Sequence, residues 1–402
     1  MHIQRLRLLA VTITRLFSIS LLWPGTTYAQ EQKSFPLSVK TPKHQGPYFS
    51  VKVPEGNYTV TLTLKGSKMT DTLTVKAESR RLMVKEIAVS PKETRKISFV
   101  VNVKTPQIQG ESKVTLKPRE VENLNWDDQL TLEFSKPALV KAINIEKAND
   151  QVSLYLAGNS TVVDQDEEPW ASWGQMIPSF FKPGVVVSNH AASGLSLGSF
   201  LSSHRLDKIL SLLKTGDYVF IEFGHNDQKE KGPADGAHGS YTQRFNLFID
   251  KIQAKGGHPV LVTSTARRSF DENGKTMNTL GDYPAAAIKV ARDRNVPLID
   301  LNAMSTQFYD ALGVEASKKA FVHYAANTFP GQTTALADNT HFSTYGAYQL
   351  AKCVLEGIKA TVPELSKYFI DVPVYDPAKP DLPDTFTLPL SPKTSAVKPE
   401  GN

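Results

Sequence analysis

One cysteine, Cys353, stands in 402 residues. A lone thiol excludes an internal disulfide and any cysteine-built metal site, so stability must come from packed cores. His190, His204, His238, His258 and His323 show none of the short spacings by which two imidazoles reach one metal. Neither a catalytic metal nor a cofactor is expected. No run of lysines and arginines is interleaved with aromatics, which removes nucleic acid from the expected partners. The segment "GLSLG" at 194–198 lacks the lysine and the spacing of a phosphate loop. No internal repeat is present.

Long apolar runs are also scarce. The one that stands out opens the chain, "MHIQRLRLLAVTITRLFSISLLWPGTTYAQ", with basic Arg5 and Arg7 ahead of it and Thr27-Tyr28-Ala29 behind. Residues 1–29 read as an export signal. Arg15 interrupts the run, which is short for a bilayer span, so no membrane span is expected once the signal is removed. Removal takes away three arginines and no acids, lowering the formal charge from +6 to +3. A periplasmic, cell-surface or extracellular protein of mildly basic charge results, compatible with an anionic polysaccharide.

What is present divides into two rhythms. From Tyr48 to about Lys147 the chain alternates like strands, in "YFSVKV", "YTVTLTL", "DTLTVKA", "RRLMVKEIAV", "RKISFVVNV", "SKVTLKP", "DQLTLEF" and "KAINIEK". Eight short strands with no helical pattern between them predict an antiparallel β-sandwich or jelly roll over 30–148. Such a domain is either a carbohydrate-binding module or a platform for the second half of the chain. Past residue 150 apolar runs, "VSLYLA", "VVVSN", "YVFIEF", "PVLVTS" and "VPLIDL", alternate with helical patterns near 203–213, 241–255, 282–294 and 343–360. Strands apolar throughout are covered on both faces, so 149–370 reads as a three-layer α/β domain with a parallel sheet of about five strands. A proline-rich, extended tail is expected over 371–402.

In such a sheet, ligands gather beyond the carboxyl ends of the strands. Ser160, in "YLAGNSTVV", follows a strand directly. A serine hydroxyl is a weak nucleophile and needs a base held by a third group. His341 in "ADNTHFSTYGAY" is the best base on offer, and Asp338, three residues earlier in an expected loop, can orient it. An oxyanion needs donors: the backbone N–H of Ser160, that of Gly194 in "NHAASGLS", and the side-chain amide of Asn226 in "EFGHND" fit.

Together Gly158-Asn159-Ser160, Gly194, Gly224-His225-Asn226-Asp227 and Asp338-Asn339-Thr340-His341 resemble the four ordered blocks of the SGNH (GDSL-type) hydrolases. "NHAASG", "FGHNDQ" and "DNTHFSTYGAY" are most similar to the rhamnogalacturonan acetylesterase branch. The resemblance covers roughly residues 150–362 and implies a flavodoxin-like fold and deacetylation of pectic polysaccharide. It implies Ser160 as nucleophile, His341 as base and Asp338 as orienter, with Ser160, Gly194 and Asn226 as oxyanion donors. Asn159 stands where the family name records aspartate, which removes a charge but keeps hydrogen-bonding reach.

Other residues carry weaker expectations. Arg267 and Arg268 follow a strand and suit a uronate carboxylate or a surface salt bridge. Trp170 and Trp173 read as core or lid aromatics, with sugar stacking as the alternative and Trp170 the candidate substrate contact. His225 reads as a structural hydrogen-bonder. The expected partner is an acetylated plant polysaccharide or oligosaccharide. An esterase for acetylxylan or other acyl esters, or a catalytically silent glycan-binding protein, are the competing expectations.

Overall fold

A computed structural model describes residues 37–40, 42–43 and 46–400, and the segment read as an export signal lies outside the described residues. The described residues belong to one compact unit. Strands β1 (Leu37–Lys40), β2 (Tyr48–Lys52), β3 (Gly56–Lys65), β4 (Asp71–Ala77), β5 (Arg81–Val89), β6 (Thr94–Val103), β7 (Gln129–Phe134) and β8 (Val140–Lys147) build two antiparallel sheets, β1-β8-β3-β6 and β2-β7-β4-β5. Alternation explains their pairing. Val60, Leu62 and Leu64 of β3 point inward against Leu73 and Val75 of β4, while the threonines between them face outward. Burying one such side chain contributes roughly 1.5–3 kcal/mol.

The segment Ser112–Pro118 is not the strand that its alternation suggests. Gln107 and Lys113 make only an isolated bridge, and the Thr115 N–H donates to the Ser203 carbonyl in the α/β half. Gly110 and Pro118 bound too short an apolar pattern to join a sheet. Residues 104–128 therefore form an irregular connection that packs on the second half. Conversely, β1 lies ahead of the alternating segments read as strands.

Beyond residue 150, β9 (Val152–Gly158), β10 (Val185–Asn189), β11 (Tyr218–Glu222), β12 (His258–Val262) and β13 (Leu298–Ile299) form a parallel sheet ordered β10-β9-β11-β12-β13. This is the flavodoxin-like order, with β9 central. Helices are α1 (Trp173–Met176), α2 (Leu197–Ser202), α3 (Arg205–Leu212), α4 (Thr242–Ala254), α5 (Tyr283–Arg294), α6 (Leu301–Ala316) and α7 (Thr344–Thr361). Successive residues of one strand serve opposite faces. Leu154 and Leu156 pack with α7, whereas Tyr155 and Ala157 join the core under α3, α4 and α5. Helix α6 escaped the periodicity because Gly313 and its polar residues blur the pattern, although Asp300 caps it through the Ala303 N–H at 3.2 Å. An antiparallel pair, β14 (Phe321–Tyr324) and β15 (Leu336–Phe342), precedes α7.

The sandwich meets the α/β half through buried charge. At the tip joining β4 to β5, Glu78 and Arg80 take left-handed backbone conformations and turn Arg80 and Arg81 toward residues 159–175. Arg81, 1% exposed, donates from Nε to Asp164 Oδ2 at 3.0 Å, stands in ion-pair contact with it through Nη2 at 3.0 Å, and donates to the Asn102 carbonyl at 3.1 Å. Arg80 donates to the carbonyls of Gln165 and Trp170 and pairs with Glu168 at 2.5 Å. Arg205, also buried, pairs with Glu120 at 2.5 Å.

Removing one partner of a buried pair strands the other charge at a cost of about 3–5 kcal/mol. Asp164→Ala should therefore lose stability of that order, read as a fall in melting temperature and denaturation midpoint. A loss under about 1 kcal/mol would mean that Arg81 finds another acceptor.

Candidate active site

Ser160 sits two residues past β9, on a turn that only a small residue can precede. A Cβ on Gly158 would approach Val162 Cγ2 at 2.5 Å and the Glu222 carbonyl at 3.2 Å. Asn159 closes the turn, its Oδ1 accepting from the Thr161 N–H at 3.0 Å and the Thr161 hydroxyl at 2.9 Å. The Ser160 carbonyl accepts from Gln165 Nε2 at 2.9 Å. These bonds fix the nucleophile loop from below.

Asp338 and His341 lie in strand β15 rather than in the plain loop expected of them. The chain bends there because Asp338 Oδ1 accepts from the backbone N–H groups of Thr340, at 2.7 Å, and His341, at 2.9 Å. His341 Nδ1 donates to Asp338 Oδ2 at 2.8 Å, leaving Nε2 to accept from the Ser160 hydroxyl at 3.0 Å. Burial would raise the Asp338 carboxyl. The hydrogen bonds and charge of His341 outweigh it and hold the group well below the usual carboxylate range. A hydroxyl, an imidazole and an ionised carboxylate are thus connected in series.

Two further loops follow β10 and β11, the strands that flank β9. Gly194 takes φ +79° after β10, and Asn226 follows β11. Asn226 Nδ2 donates to the Leu195 carbonyl at 3.0 Å, and Asp227 Oδ1 accepts from the Leu197 N–H at 2.9 Å, so the two loops are stitched together. One amide hydrogen of Asn226 orients the group; a second remains for a ligand. Burial pushes Asp227 up to about 7 and keeps His225 well below its ordinary range, hence neutral.

The other expected residues behave differently. Arg267 is tied to the Asn226 loop: with the Gln228 amide turned to suit its surroundings, its oxygen accepts from both guanidinium nitrogens at 2.9 and 3.0 Å. Arg268 braces the triad loop, with Nε on Ser317 Oγ at 3.0 Å, Nη1 on Asn339 Oδ1 at 3.1 Å and Nη2 on the Val314 carbonyl. Trp170 is 3% exposed, stands edge-on to His341 at 5.8 Å, and donates from Nε1 to the Ser395 carbonyl at 3.1 Å. It walls the histidine rather than offering a face to a sugar. Trp173 is core.

Sequence reasoning missed Glu222, a carboxyl in an otherwise apolar strand. Its Oε1 lies 2.7 Å from Thr161 Oγ1 and its Oε2 accepts from Trp173 Nε1 at 2.5 Å. Thr161 has one proton and already meets Asn159 Oδ1, so both contacts are satisfied together when Glu222 carries a proton. Burial raises it to about 7. Asn159, which carries no charge, stands beside a carboxyl that burial raises to about 7, where aspartate would add a second buried acid. The charge within "YVFIEF" was the available signal.

A hydrogen-bonded serine, histidine and aspartate at the carboxyl edge of a 2-1-3-4-5 parallel sheet define a serine hydrolase of the SGNH kind. Residues 156–347 match the GDSL-like lipase/acylhydrolase family, and the chain belongs to it. It is 45% identical over 210 residues to the rhamnogalacturonan acetylesterase RhgT of Bacillus subtilis, covering 52% of this chain and 90% of that protein. To the probable rhamnogalacturonan acetylesterase YesY of the same organism it is 34% identical over 209 residues, covering 51% of this chain and 92% of the relative. The crystal structure of YXIM from Bacillus subtilis is similar over 78% of this chain and 80% of that one, at 24% identity and a TM-score of 0.47.

A carboxyl raised on folding contributes stability that is whole below its unfolded pKa and fades as pH rises through the folded value. For Glu222 that window runs from 4.5 to about 7. Glu222→Gln should flatten the decline in stability across this window, a difference on the order of 3 kcal/mol between its ends. Unfolding at pH 4.5 and 8 for both proteins checks it; parallel curves would show that Glu222 does not titrate there.

Proposed function

We propose that this protein is an exported serine esterase that removes acetyl groups from rhamnogalacturonan-type pectic polysaccharide through an acetyl-enzyme. The observation that carries the reading is the unbroken relay from Asp338 through His341 to the Ser160 hydroxyl, at 2.8 and 3.0 Å. The names of the curated relatives support the acetyl group and the polymer, and the apolar, arginine-flanked segment at 1–29 supports export.

In the proposed reaction Ser160 Oγ attacks the acetyl carbonyl while His341 Nε2 takes the hydroxyl proton. Asp338 holds the imidazole in the tautomer that can accept, and its ionised state stabilises the imidazolium that forms. The oxyanion is met by the N–H groups of Ser160 and Gly194 and by Asn226 Nδ2. His341 returns the proton to the departing sugar oxygen. Water, deprotonated by the same imidazole, then releases acetate and restores Ser160.

Ser160→Ala and His341→Ala should each abolish nearly all acetate release from acetylated rhamnogalacturonan, and the double variant should be scarcely worse, because loss of one member disables the set. Additive losses in kcat would mean that the two do not act together. A wild-type kcat/KM higher on acetylxylan than on rhamnogalacturonan would overturn the substrate assignment.

Asn226 separates an oxyanion role from a turn role. A donor aimed at the oxyanion binds the transition state more than the ground state, so Asn226→Ala should lower kcat by about 10²–10³-fold with little change in KM. A folded variant with near-wild-type kcat and a reduced melting temperature would assign Asn226 to the Leu195 loop alone.

A further inference from the structure

Ser160 is 3% exposed, yet the proposed substrate is a polymer. Residues 398–400 lie across the site. Lys398 Nζ stands 3.4 Å from Asp338 Oδ2 on one side, and the Glu400 carboxylate pairs with Lys117 on the other. Pro399, between them, is buried. A Cβ placed on Gly194 would lie 2.9 Å from Lys117 Nζ and 3.2 Å from Glu400 Cβ, so this pair sits at the Gly194 turn itself.

The two ends of this segment are held very differently. Ser391 is buried, with Oγ donating to Glu133 Oε1 at 2.7 Å and its N–H donating to Glu168 Oε1 at 3.0 Å. The Ser395 N–H donates to the Glu168 carbonyl at 2.8 Å. Past Ser395, the ion pairs of Lys398 and Glu400 are the contacts that reach the site, and their side chains are 47% and 52% exposed. In each pair the partner on residues 396–400 is about half exposed, which weakens it relative to a fully buried pair. The distal residues are thus held by fewer buried hydrogen bonds than the proximal ones.

Lys117 is fixed in place. Its N–H donates to Glu120 Oε2 at 2.9 Å, the same carboxylate that holds buried Arg205, and its Nζ donates to the Ser193 carbonyl at 2.6 Å. It belongs to the sandwich connection, outside the 156–347 region of the family match. On the Asn226 side, Lys229 Nζ donates to Asn226 Oδ1 at 3.2 Å and Arg267 Nη2 donates to the His225 carbonyl at 3.5 Å, and burial with the charges of Arg267 and Lys398 lowers Lys229. A cationic rim with a carboxylate already seated on one of its lysines is a site for an anionic ligand.

We propose that Lys117 is the residue that binds a uronate carboxylate of the substrate, and that Glu400 occupies its place as an internal competing carboxylate until substrate displaces residues 396–400. The proposal takes its substrate from the esterase reading but concerns binding, and can be tested without turnover. Lys117 holds the anionic sugar next to the one whose ester meets Ser160, and selects anionic over neutral polymers.

The test uses Ser160→Ala protein and an oligogalacturonate in calorimetric titration, together with kcat/KM of Ser160-containing protein on an acetylated uronate polymer and on a small neutral acetyl ester. Lys117→Gln should weaken oligogalacturonate binding about fivefold and lower the anionic-to-neutral ratio of kcat/KM by a similar factor, with Lys117→Arg restoring both. Glu400→Gln, and separately truncation after Ser395, should tighten binding about fivefold in the Lys117 protein and leave it unaltered in Lys117→Gln. Unchanged binding in Lys117→Gln, or equal tightening by Glu400→Gln with and without Lys117, overturns the proposal. Failure of the esterase reading appears separately, as a wild-type protein that binds oligogalacturonate but releases no acetate.

Discussion

Arg80 and Arg81, at the tip of one hairpin of the sandwich, hold the nucleophile loop from below. Two guanidinium groups out of water are tolerated only where carboxylates and carbonyls meet them in fixed directions. Those acceptors are Asp164, Glu168 and the carbonyls of Gln165 and Trp170, all within the loop that runs from Ser160 toward α1. Asp164 also accepts from Asn189 Nδ2 at 2.9 Å, and Gln165 donates to the Ser160 carbonyl. One charged contact thereby ties the strand ends of β9 and β10 to the sandwich. The positions of Ser160 and Trp170, and through Trp170 the edge packed on His341, depend on it.

This arrangement gives the sandwich a physical part in the site. Its hairpin tip replaces the solvent that would otherwise meet the loop, and its connection between β6 and β7 brings Lys117, Glu120 and Trp126 against the α/β half. Burial pushes Lys104 down to about 7, with Trp126 stacked over its ammonium at 4.7 Å. A boundary this rich in desolvated charge is specific in register, because each ion has few partners and no water to substitute for them. The cost is that the two layers cannot separate without exposing unpaired charges to one another.

Electrostatics at the reacting centre obey the same logic in reverse. Asp338 is kept ionised by His341 and two backbone N–H groups, whereas Glu222 and Asp227, equally near the sheet edge, are pushed up to about 7 by burial. One ionised carboxylate beside the imidazole, with two neighbouring carboxyls raised to about 7, lowers the negative charge gathered around Ser160. Asn159, in place of an acid, continues that pattern.

The sequence by itself determined the elements and the order of the chemistry. Period-two alternation in β2–β8, save the misread Ser112–Pro118, and uniformly apolar runs in β9–β12 dictated two kinds of sheet, because burial on one face or on both writes directly into composition. Ser160, Gly194 and Asn226 follow β9, β10 and β11, whose carboxyl ends gather at one edge of the parallel sheet, whereas Asp338 and His341 stand out by their three-residue spacing ahead of α7 and lie in the antiparallel β15. Glu222, Asp164, Arg81, Lys117 and Glu400 were not legible as a set. Their partners lie far apart in sequence, Lys117 and Glu400 by 283 positions, and a charge says nothing of its partner until folding removes the water between them. Only the tertiary structure decided which charges are buried, which carboxyls burial raises, and which segment reaches Asp338 and the Gly194 turn. These are consequences of desolvation and distance, and neither exists along a line of residues.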